Sequence, residues 1–404
     1  MGSPQHEVMI RVCIFVLVVQ IPLFGEGPNL DHEFGRRLKR EVSMMQRELV
    51  EERICLSHEV IVGFHGEIGY RHSEESTVEG DRPIAKETLF PIWSMSKPVT
   101  SVAAMLLYEQ GAFALDDSVH GVLPKLSRFR VQREGGATEP LRREITYRDL
   151  LCHTAGIDGY DGSFDQQGTW KQIMELNDLD EVMTLLVSQA LKHQPGEGYT
   201  YGMNTAVLGR AVEVLSGMPF ADFLRKKIFS PLGMTQTRFS LTKEDRAHFQ
   251  PLFVKEGNQY RPGTVAEDEL YYRPGSALSL GGEGLVSSMT DYAKFCQMLV
   301  DQGRPILKKK TLSLMLDDHL KKNPHYGGKA RGLHHGLGFW VLEDSAKEGS
   351  NSPNGIFGWS GYHTTHFWVD PQNKLYGIFM TRRYPSTDVP QRRLRDAVYR
   401  ALKP

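Results

Sequence analysis

From Asp31 to Glu52 apolar residues recur every three or four positions, with Phe34, Leu38, Val42, Met45 and Leu49 set among charged neighbours, which predicts an amphipathic surface helix. The pattern then changes to strands. Cys55 to Phe64 and the stretch from His65 to Tyr70 read as two strands about a glycine-containing turn, and Leu89-Phe90-Pro91-Ile92-Trp93 is a short apolar segment feeding Ser94. Val99, Val102, Ala103 and Leu106 return to helical spacing and Gly111 supplies a stop, so a buried helix is expected to start within a few residues of Ser94. Pro98 fits that helix only in its first turn, where the missing N–H costs nothing.

Helices are predicted next over Leu179 to Lys192, Asn204 to Ser216, Pro219 to Ile228, Asp291 to Gln302 and Lys310 to His319, with a short strand at Thr237 to Ser240. Near the carboxyl end, Leu337 to Leu342, His363 to Val369 and Leu375 to Met380 read as strands, and Asp388 to Leu402 closes with a helix whose first turn holds Pro390. Strands at both ends with helices between them imply an α/β (α+β) fold in which the two termini build one antiparallel sheet flanked by helices. The expected organisation is a single domain over 29–404, with sheet regions at about 29–115 and 320–404 and a helix-rich insert at about 116–319.

Composition alters this picture only at the edges. With 48 basic against 49 acidic residues the net charge is -1, which offers no global field to a polyanion and excludes nucleic acid as an expected partner. Cys13, Cys55, Cys152 and Cys296 are far apart and contain no Cys-x-x-Cys pair, so no disulfide framework is expected. The apolar run Val12 to Phe24 follows Arg11 and is broken by Gln20 and Pro22, a length that suits a secretory leader better than a membrane span. Residues 1–28 are therefore set apart as a hydrophobic leader or anchor. The expectation is a secreted or membrane-anchored protein, with residues 10–24 as its contact with a membrane, or a cytoplasmic one if the leader does not function. The sequence does not speak to oligomeric state.

Candidate chemistry starts at Ser94 and Lys97, three apart at a helix start and so on one face. A serine hydroxyl needs an adjacent base to become a nucleophile, and a desolvated lysine near a helix N-terminus, its pKa lowered by burial, can serve. Cys152-His153 invites a thiol or metal reading, but the short helix before it puts Cys152 on a buried side, which marks a structural pair. His334-His335 and the pair His363 and His366 lack carboxylates at ligand spacing, and residues three apart on a strand face opposite ways. No metal and no cofactor are expected.

Two further stretches look like partners for Ser94. One is the Pro195-Gly196 turn leading through Tyr201 and Met203 into the helix at Asn204, and the other is Phe357-Gly358-Trp359-Ser360-Gly361-Tyr362-His363, a strand punctuated by glycine where a backbone must approach closely. Together with Ser94-x-x-Lys97, and with Leu150 to Ile157, Phe229 to Met234 and Gly281 to Ser288 in this order, they resemble the signatures of the serine β-lactamase and penicillin-binding protein superfamily. The nearest branch is class C-like, with the family VIII carboxylesterases, and the resemblance spans roughly Leu38 to Leu402.

The resemblance implies a β-lactamase/transpeptidase-like fold, Ser94 as the acylated nucleophile, Lys97 as its proton acceptor or electrostatic support, and Tyr201 as second base. It places the Tyr362 backbone N–H beside that of Ser94 in an oxyanion hole, with Trp359, Ser360, Gly361 and Met203 around the substrate. Two departures stand out. Met203 occupies the asparagine position of Tyr-x-Asn, with Asn204 one place late, and Trp359-Ser360-Gly361 replaces Lys-Thr-Gly, so the cation for a substrate carboxylate is missing there. A buried unpaired carboxylate would be costly, which points to a neutral small-molecule ester or acyl substrate, cleaved by hydrolysis or passed on by acyl transfer. Arg382 and Arg383 are the only replacement cations suggested. The alternatives are β-lactamase or D-alanyl-D-alanine carboxypeptidase activity and, from another class, a catalytically silent binding or scaffold protein.

Overall fold

The computed structural model describes residues 32–160, 168–264, 267, 278–321, 323 and 325–403. The expected leader at residues 1–28 lies outside the described residues. Among them no helix is long and apolar enough to cross a membrane.

Helix α1 (His32–Glu51) precedes the hairpin of β1 (His58–Phe64) and β2 (Glu67–Glu74), and α2 (Ser96–Glu109) follows a single 3-10 turn at Trp93–Met95. Met95 is the N-cap residue of α2, so Pro98 falls in its first turn, as its missing N–H demands. The middle of the chain supplies α3 (Asn204–Ser216) and α4 (Met289–Val300) among shorter helices. Strands β3 (Leu333–His335), β4 (Trp340–Leu342), β5 (Phe357–Gly361), β6 (Thr365–Asp370) and β7 (Leu375–Met380) then lead to α5 (Val389–Leu402).

Among the described residues these seven strands form one sheet in the order β2-β1-β7-β6-β5-β4-β3, antiparallel throughout. Joining β1 to β7, with Ile61 opposite Ile378, closes the two chain ends into one sheet. Both faces are covered. On one, Leu38, Val42 and Leu49 of α1 and Leu394, Ala397 and Val398 of α5 meet Val60, Trp368 and Phe379. On the other, Ile61, Phe367 and Ile378 pack toward α2, α3 and α4. Period-two alternation sends neighbouring side chains of each strand to these two cores.

The differences from the sequence reading are local. The helix at Leu179 ends at Leu186, Thr237 to Ser240 makes a single bridge through Arg238 to Val286 instead of a strand, and β3 was not anticipated. His363 lies in the turn before β6, whose first residue is Thr365.

Candidate active site

Ser94 sits on the 3-10 turn between strand-like Phe90–Pro91 and α2, and the chain holds that turn from several sides. Ile92 N–H donates to the Leu285 carbonyl at 3.0 Å, Leu285 N–H donates to Ser96 Oγ at 3.1 Å, and the Tyr292 hydroxyl of α4 donates to the Met95 carbonyl at 2.9 Å. Trp93, just before Ser94, has a left-handed φ of 46°, a strained conformation for a bulky residue that persists only because its surroundings impose it.

Lys97 lies on α2 beneath Ser94, its Nζ 3.2 Å from Ser94 Oγ. The ammonium also reaches Tyr160 OH at 3.1 Å, the Gly282 carbonyl at 2.9 Å and Glu283 Oε1 at 3.1 Å. Three protons thus serve four oxygens. A Cβ at Gly282 would stand 3.1 Å from Nζ, so a side chain there would crowd the amine. Lys97 and Glu283 are 1% and 3% exposed, a desolvated pair that needs all these partners.

The pair corrects one expectation. Burial pulls the Lys97 pKa down as anticipated, but the Glu283 carboxylate, with Tyr201, pulls it up and wins, so the amine is held above its ordinary value and stays an ammonium. Electrostatic support, the second of the two roles considered for Lys97, is the one this charge state favours. Burial and Glu283 likewise hold the Tyr160 phenol well above its usual range, and its hydroxyl donates to Glu283.

Tyr201 places its ring centroid 4.8 Å from Lys97 Nζ and is 38% exposed, so it borders both the buried cation and solvent. The His153 ring, 4.9 Å away and fully buried, supports it from behind, and Trp359 of β5 continues the aromatic wall at 6.3 Å. Burial pushes His153 far below its ordinary pKa, so it is a neutral ring. Asn204, the first residue of α3, bonds His153 Nδ1 and the carbonyls of Ile157 and Thr200, tying the Tyr201 loop to the Cys152-His153 corner.

The strand carrying Trp359 splits the other expected site residues between two faces. Trp359 is on the Ser94 side, but Ser360 Oγ points to the opposite face, where it bonds His366 Nδ1 at 2.9 Å and Gln391 Oε1 at 2.8 Å, because neighbouring strand residues alternate. Gly361 has a steric reason to be glycine: a Cβ would collide with the Ile92 carbonyl and Thr365 Oγ1, so β5 presses directly on the turn that carries Ser94. Tyr362 follows in the turn between β5 and β6, its ring 5.3 Å from that of Trp93. Met203, expected on the pocket wall, is fully buried and packs over Gly159. Arg382 and Arg383 are buried rather than solvated. Arg382 donates to the Gln250 carbonyl, while Arg383 donates to the Tyr260 hydroxyl and the Pro385 carbonyl.

Sequence reasoning missed Glu283 and Tyr160. The Gly281-Gly282-Glu283-Gly284-Leu285 stretch did carry a signal, one acid in a run of glycine and aliphatic residues, where a charge must be buried with its neighbours. Tyr160 had no comparable marker.

The arrangement is a serine hydroxyl on a rigid turn, a buried ammonium bonded to it, and an accessible phenol beside that ammonium. Known proteins with related chains place the chain as a whole in a family. The profile of the Beta-lactamase family matches residues 48–401. Esterase EstB of Burkholderia gladioli is 29% identical over 382 residues, covering 87% of this chain and 93% of its own. Among solved structures, EstCE1, described as a hydrolase with promiscuous acyltransferase activity, superposes with a TM-score of 0.75 at 25% identity, over 90% of this chain and 99% of that one. A mutant of the simvastatin synthase LovD from Aspergillus terreus shares the fold, with a TM-score of 0.75 at 20% identity over 94% of this chain and all of its own. With the family profile covering most of the chain, and an esterase and a hydrolase among its relatives, the chain belongs to the β-lactamase family as a serine hydrolase of the esterase-like branch.

Proposed function

We propose that Ser94 is the acylated nucleophile of an esterase or acyltransferase acting on neutral, apolar acyl esters. The observation that carries this reading is the buried Lys97 ammonium, 3.2 Å from Ser94 Oγ and within 4.8 Å of the Tyr201 ring. Ser94 Oγ attacks the ester carbonyl carbon as its proton passes to Tyr201, whose ring borders the Lys97 ammonium. The backbone N–H groups of Ser94 and Tyr362 receive the negative charge on the carbonyl oxygen. Collapse breaks the bond to the leaving alcohol, which takes the proton from Tyr201. Water or a second alcohol then repeats the attack on the acyl-Ser94 carbonyl, releasing an acid or a new ester and returning the proton to Ser94.

Substrate class follows from what stands at the third motif. Trp359 presents an apolar ring beside Tyr201, while Arg382 and Arg383, the suggested replacements for a missing lysine, are committed elsewhere. A charge-assisted contact contributes about 1.5–3 kcal/mol, roughly ten- to hundredfold in discrimination. Short-chain p-nitrophenyl esters are therefore expected to exceed nitrocefin and D-Ala-D-Ala peptides by at least about tenfold in kcat/KM, and Trp359→Lys to narrow that gap. Wild-type turnover of nitrocefin equal to that of the best ester would refute the assignment of Trp359.

The leader reading of residues 1–28 belongs to the same proposal, placing the enzyme in the export pathway or at a membrane through residues 10–24. It rests on the apolar run Val12 to Phe24 after Arg11. Expression in a secreting eukaryotic cell should deliver the protein to the medium or to the membrane fraction. A full-length chain confined to the cytosol would remove the leader from the account.

A further inference from the structure

Two segments far apart in the chain meet beside Ser94, and the contact between them goes beyond the motif residues. Trp93 precedes the nucleophile and His363 follows Tyr362. The Trp93 indole N–H donates to His363 Nδ1 at 3.2 Å, with the two rings edge to face at 5.2 Å. Both residues are buried, at 4% and 0% exposure, and both have left-handed backbones, with φ of 46° and 61°. An indole N–H can only donate, which assigns the His363 proton to Nε2 and leaves Nδ1 as acceptor. The backbone of His363 is fastened as well: its N–H donates to Ser386 Oγ at 3.2 Å and its carbonyl accepts from Arg383 N–H at 3.1 Å.

We infer that the Trp93–His363 hydrogen bond is a positioning tie that sets the distance and angle between the Ser94 turn and the Tyr362 turn, and so between the two N–H groups that receive the oxyanion. The inference rests on the proposed Ser94 acyl-enzyme. The contact of Gly361 with Ile92 presses the two segments together, while the side-chain bond, one residue past Ile92 and two past Gly361, fixes their rotation. Donors held on different segments act on a transition state only when placed to within about half an ångström, so a tie of this kind acts on kcat more than on ground-state binding. Strain at both left-handed residues is what such a site must hold. Burial keeps the imidazole neutral, with its pKa pushed down to about 3, so the acceptor persists across the working range of an esterase.

The experiment compares His363→Gly with His363→Asn and Trp93→Phe. Glycine and asparagine both accept a left-handed φ, but only asparagine offers an oxygen near the place of Nδ1. Trp93→Phe and His363→Gly should lose about ten- to hundredfold in kcat and in the acylation burst rate, with KM within about threefold of wild type. His363→Asn should recover kcat to within about threefold, and the Trp93→Phe/His363→Gly double variant should be no slower than the worse single one. A folded His363→Gly protein with wild-type kcat, asparagine no better than glycine, or losses that multiply would each overturn the tie. If the substitutions unfold the chain, imidazole-15N spectra of the wild type decide, because a His363 proton on Nδ1 is incompatible with it. Ser94→Ala, run alongside, separates the outcomes: turnover retained there removes the acyl-enzyme reading itself.

Discussion

Ser94→Ala should abolish turnover of short-chain p-nitrophenyl esters, a loss of at least about 10⁴-fold in kcat/KM, with the fold intact. The magnitude follows from removal of the only atom that forms the acyl bond. The fold should survive because Lys97 keeps its bonds to Tyr160, the Gly282 carbonyl and Glu283 when Ser94 Oγ is gone, so no buried charge is left bare. Ser94 is itself only half-buried, and deleting its hydroxyl opens little space in the core. A fluorophosphonate probe should label the wild type on the peptide containing Ser94 and leave the variant unlabelled. Ester hydrolysis at the wild-type rate in folded Ser94→Ala protein would sink the catalytic assignment and revive the reading as a silent binding protein.

The elements around this serine were legible because their periodicity is strong. Asn204 to Ser216 appears with the predicted bounds, and α2 begins where Pro98 requires it to. Joining the chain ends into one sheet was also legible, since strands cluster near both termini with helices between. Strand β3 was not, for its three residues are too few to show alternation and include two adjacent histidines. Ser360 shows a different limit. A motif says which residues share a stretch of chain, but strand alternation divides them, and only Trp359 of the pair faces Ser94. The charge state of Lys97 could not be read from its own helix, because the carboxylate that decides it arrives from 186 residues away. Burial alone gives the wrong direction, and the partner reverses it. The Trp93–His363 bond is equally invisible, since neither residue carries a recognised spacing and each depends on a left-handed backbone.

Glu283→Gln tests that reversal through stability and pH together. In the wild type the Lys97 pKa is raised above the unfolded value, so its contribution to stability is fully present below about pH 10.5 and is lost as pH rises through the folded pKa. Glutamine removes the carboxylate and leaves burial in place, which should take the folded pKa below the unfolded one. At neutral pH the variant then holds a desolvated ammonium without its counter-charge and should be less stable by about 3–5 kcal/mol. Between the lowered folded pKa and about pH 10.5 the unfolded chain binds more protons than the folded one, so the stability of the variant should rise with pH in the window where that of the wild type stays level. Activity should follow the same charge. Losing the ammonium removes support from Tyr201, and the alkaline limb of kcat/KM should move to lower pH in the variant. Denaturant melts and ester kinetics over pH 6–10 measure both. Equal stability at pH 7 with an unmoved alkaline limb would show that Glu283 does not set the charge on Lys97.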